Sequence, residues 1–438
     1  MTTLIRGATL PDGSRADLAI DGGVFVDPAG SAQREIDADG LVALPGLVDL
    51  HTHLREPGFE QSETVLTGTR AAAAGGYTAV FAMANTQPVQ DTAGVVEQVE
   101  ALGRRAGYAT VRPIGAVTVG LKGERLAEIG AMAQSRARVR VFSDDGMCVH
   151  DPLLMRRALE YVSTFDGVVA QHAQDPRLTE GAQMNEGSVS ARLGLAGWPA
   201  VAEESIIARD VLLAEHVGAR LHVCHVSTAG AVEVIRWAKA RGIRVTAEAT
   251  PHHLLLTDES AVGYDARYKV NPPLRTAEDV AALRSGLSDG TIDIVATDHA
   301  PHPAEAKECA WGEAANGMVG LESALSVVHA AMVEPGLLDW DGVARVMSRT
   351  PAQIGGLRAG GDAFAVGAPA HLALYDPAAR AAFSTDSLRG RSTNSPYLGR
   401  ELPGRVVHVL HAGVPTVTDG RLRPAEEVAA AARAEAGA

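Results

Sequence analysis

Cysteine, aromatic residues and positive charge are all scarce in this chain, and each scarcity removes a class of protein. The 438 residues contain three cysteines, Cys148, Cys224 and Cys309, and they lie far apart. No pair has the close spacing of a zinc knuckle or a redox motif, so a disulfide framework is excluded and a reducing compartment is expected. Aromatics are 4% of the chain, which leaves its core to Ala, Val, Leu and Ile. Lys and Arg number 39 against 53 Asp and Glu, a formal charge of −14 that disfavours nucleic acid and anionic membranes as partners. A small anionic substrate stays admissible, because the local charge of a pocket can oppose the mean. No apolar run approaches the roughly 18 residues of a membrane span, and Arg6 and Asp12 interrupt the N-terminus before a signal sequence could form. The chain therefore reads as soluble and cytoplasmic. Against these shortages stand 15 histidines, which call for an explanation.

The pattern along the chain divides in three. Residues 1–43 alternate short apolar runs with the turns Pro11-Asp12-Gly13 and Asp21-Gly22-Gly23, the texture of small hairpins. The same texture returns at 371–375, 406–410 and 414–418, the last followed by Asp419-Gly420. Between them, buried-type strands at 47–50, 78–83, 111–119, 139–142, 168–171, 220–226, 244–248 and 292–296 alternate with Ala-rich helical stretches such as 93–106 and 229–240. Eight strands with helical crossovers match a (β/α)8 TIM-type barrel, although an open doubly wound α/β sheet shows the same alternation. The expected division is a barrel over 44–357, a small β-sandwich formed jointly by 1–43 and 358–425, and a tail at 426–438. That tail is Ala- and Glu-rich with no apolar face, and reads as a solvent-exposed or frayed helix.

A barrel carries its chemistry at the C-terminal ends of its strands. Here the first strand runs into His51-Thr52-His53, a later one into Asp144-Asp145, and the next ones into His172 and His225; the last runs into Asp298-His299. Residues i and i+2 of a strand share a side, so His51 and His53 can aim at one ion. Imidazoles with carboxylates suit zinc, or less specifically manganese, iron or cobalt. Four such histidines and two aspartates exceed the needs of one tetrahedral ion, which implies two metals sharing a bridge.

The segments LPGLVDLHTHLREPG (44–58), GGYTAVFAMANTQP (75–88), FSDDG (142–146), HVCHVST (222–228), TAEATPHHL (246–254), NPPLR (271–275) and ATDHAPH (296–302) together resemble a class I dihydroorotase of the amidohydrolase superfamily. The resemblance covers nearly the whole chain. It implies the reversible cyclisation of N-carbamoyl-L-aspartate to L-dihydroorotate in pyrimidine biosynthesis. It implies two Zn2+ per subunit, one held by His51, His53 and Asp298 and the other by His172 and His225, bridged by Asp145 and a hydroxide. Many relatives bridge with a carboxylated lysine instead. None of the four lysines, Lys122, Lys239, Lys269 and Lys307, stands at that position, whereas FSDDG supplies a carboxylate. Within that pair Asp145 is the expected bridge, and Asp144 is expected to bond nearby backbone.

Such a centre lowers the pKa of water and polarises the amide carbonyl. Asp298 is the candidate general base and acid, with a role as ligand alone as the other reading. Arg55 would fork onto the substrate carboxylate, and by resemblance His53, Asn85 and His302 join it. Asn271 and the backbone at Asn316-Gly317 would meet the ring amides. Residues 303–317 are long enough for a flap or specificity loop. His252, His253 and His299 are expected to support the site rather than ligate. The rivals are an allantoinase- or dihydropyrimidinase-type cyclic amidase, and an inactive homologue serving as an assembly partner. A homodimer and an association with aspartate transcarbamoylase are compatible with the resemblance, and neither is written in the residues.

Overall fold

The structure, a computed structural model, describes residues 2–436 except 29, 31 and 358–362. The expected boundary at 357–358 therefore abuts residues outside the described set, as do the last two residues of the expected tail.

Eight short parallel strands carry the centre of the chain. In order they are Leu47–Thr52, Tyr77–Ala82, Thr110–Pro113, Val141–Phe142, Val168–Gln171, Leu221–Val223, Val245–Ala249 and Ile294–Val295. The first three pair consecutively, as do the last five. Two parallel bridges join these groups, Gly115 to Phe142 and Thr52 to His299, so the ring closes and the open-sheet alternative falls. Closure is reinforced by the buried Asp49, which accepts from the Thr297 amide at 2.8 Å and hydroxyl at 2.5 Å. Val48, Phe81, Ile114, Val168 and Ile294 form one buried cluster. Residues from such distant strands can meet only inside a barrel. The helices cover the outside, several starting on the side-chain caps that their sequences carry. Thr228 caps Ala229–Ala240, and Thr276 with Asp279 forms a capping box on Ala277–Asp289.

The third strand is shorter than its apolar run suggests, ending at Pro113 rather than continuing to 119. Pro113 has no amide to offer a ladder, and the following amides of Val117 and Thr118 bond the Asp144 carboxylate.

The two chain ends meet in one nine-stranded sheet. Its order is Arg421–Leu422, Val414–Thr418, Glu401–His411, Leu372–Ala382, Val42–Pro45, Thr3–Thr9, Arg15–Asp21 and Val24–Val26, with Arg34–Asp37 also on Thr3–Thr9. Val24 at the far edge bridges back to Pro369, so the sheet curls around a core of its own that includes Ile5, Phe25, Ile36, Leu372 and Leu410. Val42–Pro45 is the hinge strand: it pairs with Leu372–Ala382 and leads through Gly46 into the barrel. A Cβ at Gly46 would lie 2.2 Å from the Thr78 hydroxyl, so only glycine permits this approach.

The terminal helix, Ala425–Ala436, corrects one expectation. It has an apolar contact after all: Val428 is fully buried with Tyr108 and Val417, and the Tyr108 hydroxyl donates to the Arg423 carbonyl. A single valine among alanines is too weak a stripe to register as periodicity. Among the described residues no helix is long and apolar enough to cross a membrane.

Candidate active site

Asp145 lies between two pairs of histidines. Its Oδ2 is 3.4 Å from the Nε2 atoms of both His51 and His53. Its Oδ1 is 3.2 Å from His172 Nδ1 and from His225 Nε2. Asp298 Oδ1 faces the first pair, 3.1 Å from His53 Nε2 and 3.4 Å from His51 Nε2. The strand-end residues that the sequence singles out are thus brought together from five strand ends. Among the described residues three groupings have the proximity needed to hold a metal ion: His51-His53-Asp145 and Asp145-His172-His225, which share one carboxylate, and His51-Cys224-Glu248.

The donor set fits cations on two further observations. His51 Nε2 is buried without a hydrogen-bond partner, and His172 Nδ1 and His225 Nε2 point at each other across 2.8 Å. Three of the other ring nitrogens are engaged elsewhere: His51 Nδ1 with Glu248 at 2.6 Å, His53 Nδ1 with Asn85 Oδ1 at 2.9 Å, and His172 Nε2 with Gln174 Oε1 at 2.7 Å. Each of these oxygens accepts a hydrogen bond from its ring, which turns the other nitrogen's lone pair toward Asp145. Burial alone would raise Asp145 and Asp298, but the surrounding imidazoles hold both carboxyls below the usual carboxylate range.

Asp144 accepts from the amides of Val117 and Thr118 and from the Thr118 hydroxyl. Burial, opposed by these donors, pushes it up to about 6. Its carboxylate is spent on the loop after the third strand, while its neighbour's faces the histidines. Lys122 is exposed. Arg55, His225 and Asp298 all have left-handed backbones, with φ of 62°, 31° and 46°. Non-glycine residues rarely hold this conformation outside sites that need a particular side-chain direction.

Around this centre stand the expected substrate groups. Arg55 donates from Nε to the Pro301 carbonyl at 3.2 Å, and among the described residues no carboxylate lies within ion-pair distance of its guanidinium. Burial draws it down to about 10, against the pull of Asp298 and Asp145, so it remains a cation. His302 donates from Nε2 to the Asn316 carbonyl at 2.8 Å, and burial with the nearby Arg55 lowers it to about 3, which keeps it neutral. Asn271 donates to Gln174 Oε1 at 3.0 Å while its own Oδ1 is buried without a partner. Gly317, at φ 128°, packs against Ala300 where a Cβ would not fit. The side chain of Asn316 is exposed and is not drawn into the cluster.

His253 is tied to Thr250 and the Pro272 carbonyl, and His299 sits 3.5 Å from Glu63 while accepting from the Gly320 amide. His252 is buried with a free Nε2, and burial lowers it to about 4. None of the three faces Asp145 directly.

The composition-based reading passes over Glu248, His222, Gln174 and Asp49. Glu248 holds His51 through Oε1 and His222 through Oε2 at 2.9 Å, and its Oε1 also accepts the His225 amide at 3.1 Å. The signal was an acid placed at the end of an otherwise apolar strand, in TAEAT. Replacing Glu248 by Gln is expected to weaken metal retention about 10- to 100-fold, checked by chelator competition; unchanged retention would make Glu248 a packing residue only.

Solved structures share the architecture. An L-hydantoinase from Arthrobacter aurescens superposes with a TM-score of 0.86 at 24% identity, over 96% of this chain and 97% of its own. A dihydropyrimidinase from Brevibacillus agri gives 0.81 at 23% identity, over 96% of each. The fold is therefore that of the hydantoinase-like amidohydrolase barrels. Sequence likeness narrows the class. A family profile described as dihydro-orotase-like matches residues 40–231. The dihydroorotase of Leifsonia xyli is 73% identical over 425 residues, 96% of this chain and 97% of that one. That of Streptomyces coelicolor is 66% identical over 424 residues, covering 96% and 99%, and that of Mycobacterium tuberculosis 52% over 429, covering 97% and 100%. The chain belongs to the dihydroorotase family, and it is an enzyme, a hydrolase acting on cyclic amides.

Proposed function

We propose that this chain is a class I dihydroorotase with two zinc ions, held by His51, His53 and Asp298 on one side and His172 and His225 on the other, with Asp145 as the shared protein ligand. The observation that carries the proposal is Asp145 itself, whose two oxygens each face a separate histidine pair. Lys122 is exposed, Lys239 pairs with Asp293, and Lys269 and Lys307 donate to backbone carbonyls, which argues for a carboxylate rather than a carboxylated lysine as the bridge. Bound there, the metals supply Lewis acidity and a nucleophilic water at neutral pH.

The chain's own groups account for binding and proton movement. Arg55 receives the substrate carboxylate, with Asn85, His53 and His302 lining the same mouth. The free Oδ1 of Asn271 and the backbone at Gly317 face the ring amide groups. In ring opening, Asp298 takes the proton from the attacking water and returns it to the ring nitrogen as the C–N bond breaks. Ring closure runs through the same groups in reverse and consumes a proton, so acid favours it. The division into a barrel at 44–357 and a composite β unit at 1–43 and 358–425 belongs to this reading, as do a homodimer and an association with aspartate transcarbamoylase, which sedimentation with and without that enzyme would test.

The decisive assay follows interconversion of N-carbamoyl-aspartate and dihydroorotate in both directions on protein of measured zinc content. Opening of hydantoin or allantoin without dihydroorotate turnover would overturn the proposal in favour of the hydantoinase-type rival. Arg55→Met is expected to raise KM for N-carbamoyl-aspartate roughly 10- to 150-fold, the loss of a charge-assisted hydrogen bond of about 1.5–3 kcal/mol. A normal KM in that variant would leave the carboxylate without its cation.

A further inference from the structure

We propose that Lys307 is a positioning residue for substrate: its ammonium clamps two walls of the pocket together through backbone carbonyls alone. The idea rests on the reading of Asn271 and Gly317 as substrate contacts.

Lys307 lies in the 303–317 segment, and its side chain is buried. Its Nζ donates to the carbonyls of Lys269 at 3.1 Å, Ala315 at 2.7 Å and Gly317 at 2.8 Å. An ammonium has three donors, and all three are used. Among the described residues no carboxylate lies within ion-pair distance of it. Burial and the neighbouring Lys269 lower it to about 7, and a buried amine of this kind is costly unless its hydrogen bonds are complete, so the three carbonyls define its place narrowly.

Those carbonyls belong to two separate stretches of chain. Lys269 precedes Asn271 by two residues, and Gly317 ends the loop after Asp298. The stretches are sewn together again by the Gly317 amide, which donates to the Lys269 carbonyl at 2.9 Å, and by Lys269 Nζ, which donates to the Trp311 carbonyl at 2.6 Å. The His302 ring holds the preceding Asn316 carbonyl. The Lys307 side chain thus helps set the gap between the Asn271 amide and the Gly317 backbone, bonding three carbonyls and no member of the histidine cluster. A loop of this length has the look of a mobile flap in the sequence, but here its middle is nailed to the pocket wall.

The test is steady-state kinetics of Lys307→Met, a variant of similar volume without donors, beside Asn271→Ala, with zinc content measured for both. For Lys307→Met the expected result is normal zinc, kcat within about threefold of the parent and KM for N-carbamoyl-aspartate raised at least tenfold. A merely structural lysine would lower kcat and zinc together, which overturns the proposal. An unchanged KM in Lys307→Met, with a raised one in Asn271→Ala, overturns the clamp and leaves the substrate contacts standing. Unchanged KM in both removes the contacts and the clamp with them. Should Lys307→Met not fold, the parent protein decides: saturating dihydroorotate is expected to slow tryptic cleavage after Lys307 at least tenfold, and an unaltered rate overturns the coupling.

Discussion

Asp298→Asn is expected to lower turnover in both directions by about 100- to 10,000-fold, the range of a general acid–base contribution, with zinc content close to that of the parent. Asparagine keeps the size of the side chain and one oxygen for a ligand, but it cannot carry a proton to the ring nitrogen. The local structure suits the two duties. Asp298 Oδ1 lies 3.1 Å from His53 Nε2, and the left-handed backbone at φ 46° turns the carboxylate to that position. His51 and His53 outweigh the effect of burial and keep it ionised, ready to accept. Turnover within a few-fold of the parent would reduce Asp298 to a ligand only.

The barrel was legible because its strands are continuous apolar runs separated by Ala-rich helices, and both signals are local. Closure was not legible, since it depends on two single bridges and on Asp49 reaching Thr297, the last a contact between residues 248 positions apart. His51 and His53 announced themselves through alternation, a geometric property of two neighbouring residues. Glu248 and His222 did not, because an acid and a histidine acting through a third group have no spacing rule of their own. Between Asp144 and Asp145, strand geometry alone leaves the choice open: adjacent residues point apart, but nothing local says which direction is the centre. The answer lies in what each finds, backbone amides for one and four imidazoles for the other. The anchoring of Ala425–Ala436 escaped for a related reason, as one valine finds its partners only where the C-terminal strands pack against Ala73 and Tyr108 of the barrel.

That contrast between neighbours sets up the second large effect. Asp145→Ala is expected to abolish stable binding of both metals, with activity falling to background, because the two groupings built from the expected ligands, His51-His53-Asp145 and Asp145-His172-His225, have this carboxylate in common. Removing it also leaves His51 and His53 with Asp298 alone as a facing carboxylate, and His172 and His225 with none. His172 Nδ1 and His225 Nε2, 2.8 Å apart, would then keep only each other. Asp144→Asn should behave oppositely. It retains one oxygen for the Val117 and Thr118 amides, which share Oδ1, but sets an NH2 group where the Thr118 hydroxyl donates to Oδ2. The expected cost is about 1–3 kcal/mol of stability for a buried group left unpaired, with both metals still bound. Zinc stoichiometry after dialysis, measured beside thermal melts of the two variants, separates the roles. If Asp144→Asn lost the metals and Asp145→Ala kept them, the bridge would have to be assigned to the wrong neighbour, and with it the geometry of both sites. Loss of only one equivalent of zinc in Asp145→Ala would mean that His51, His53 and Asp298 suffice for one ion, leaving Asp145 to hold the other with His172 and His225.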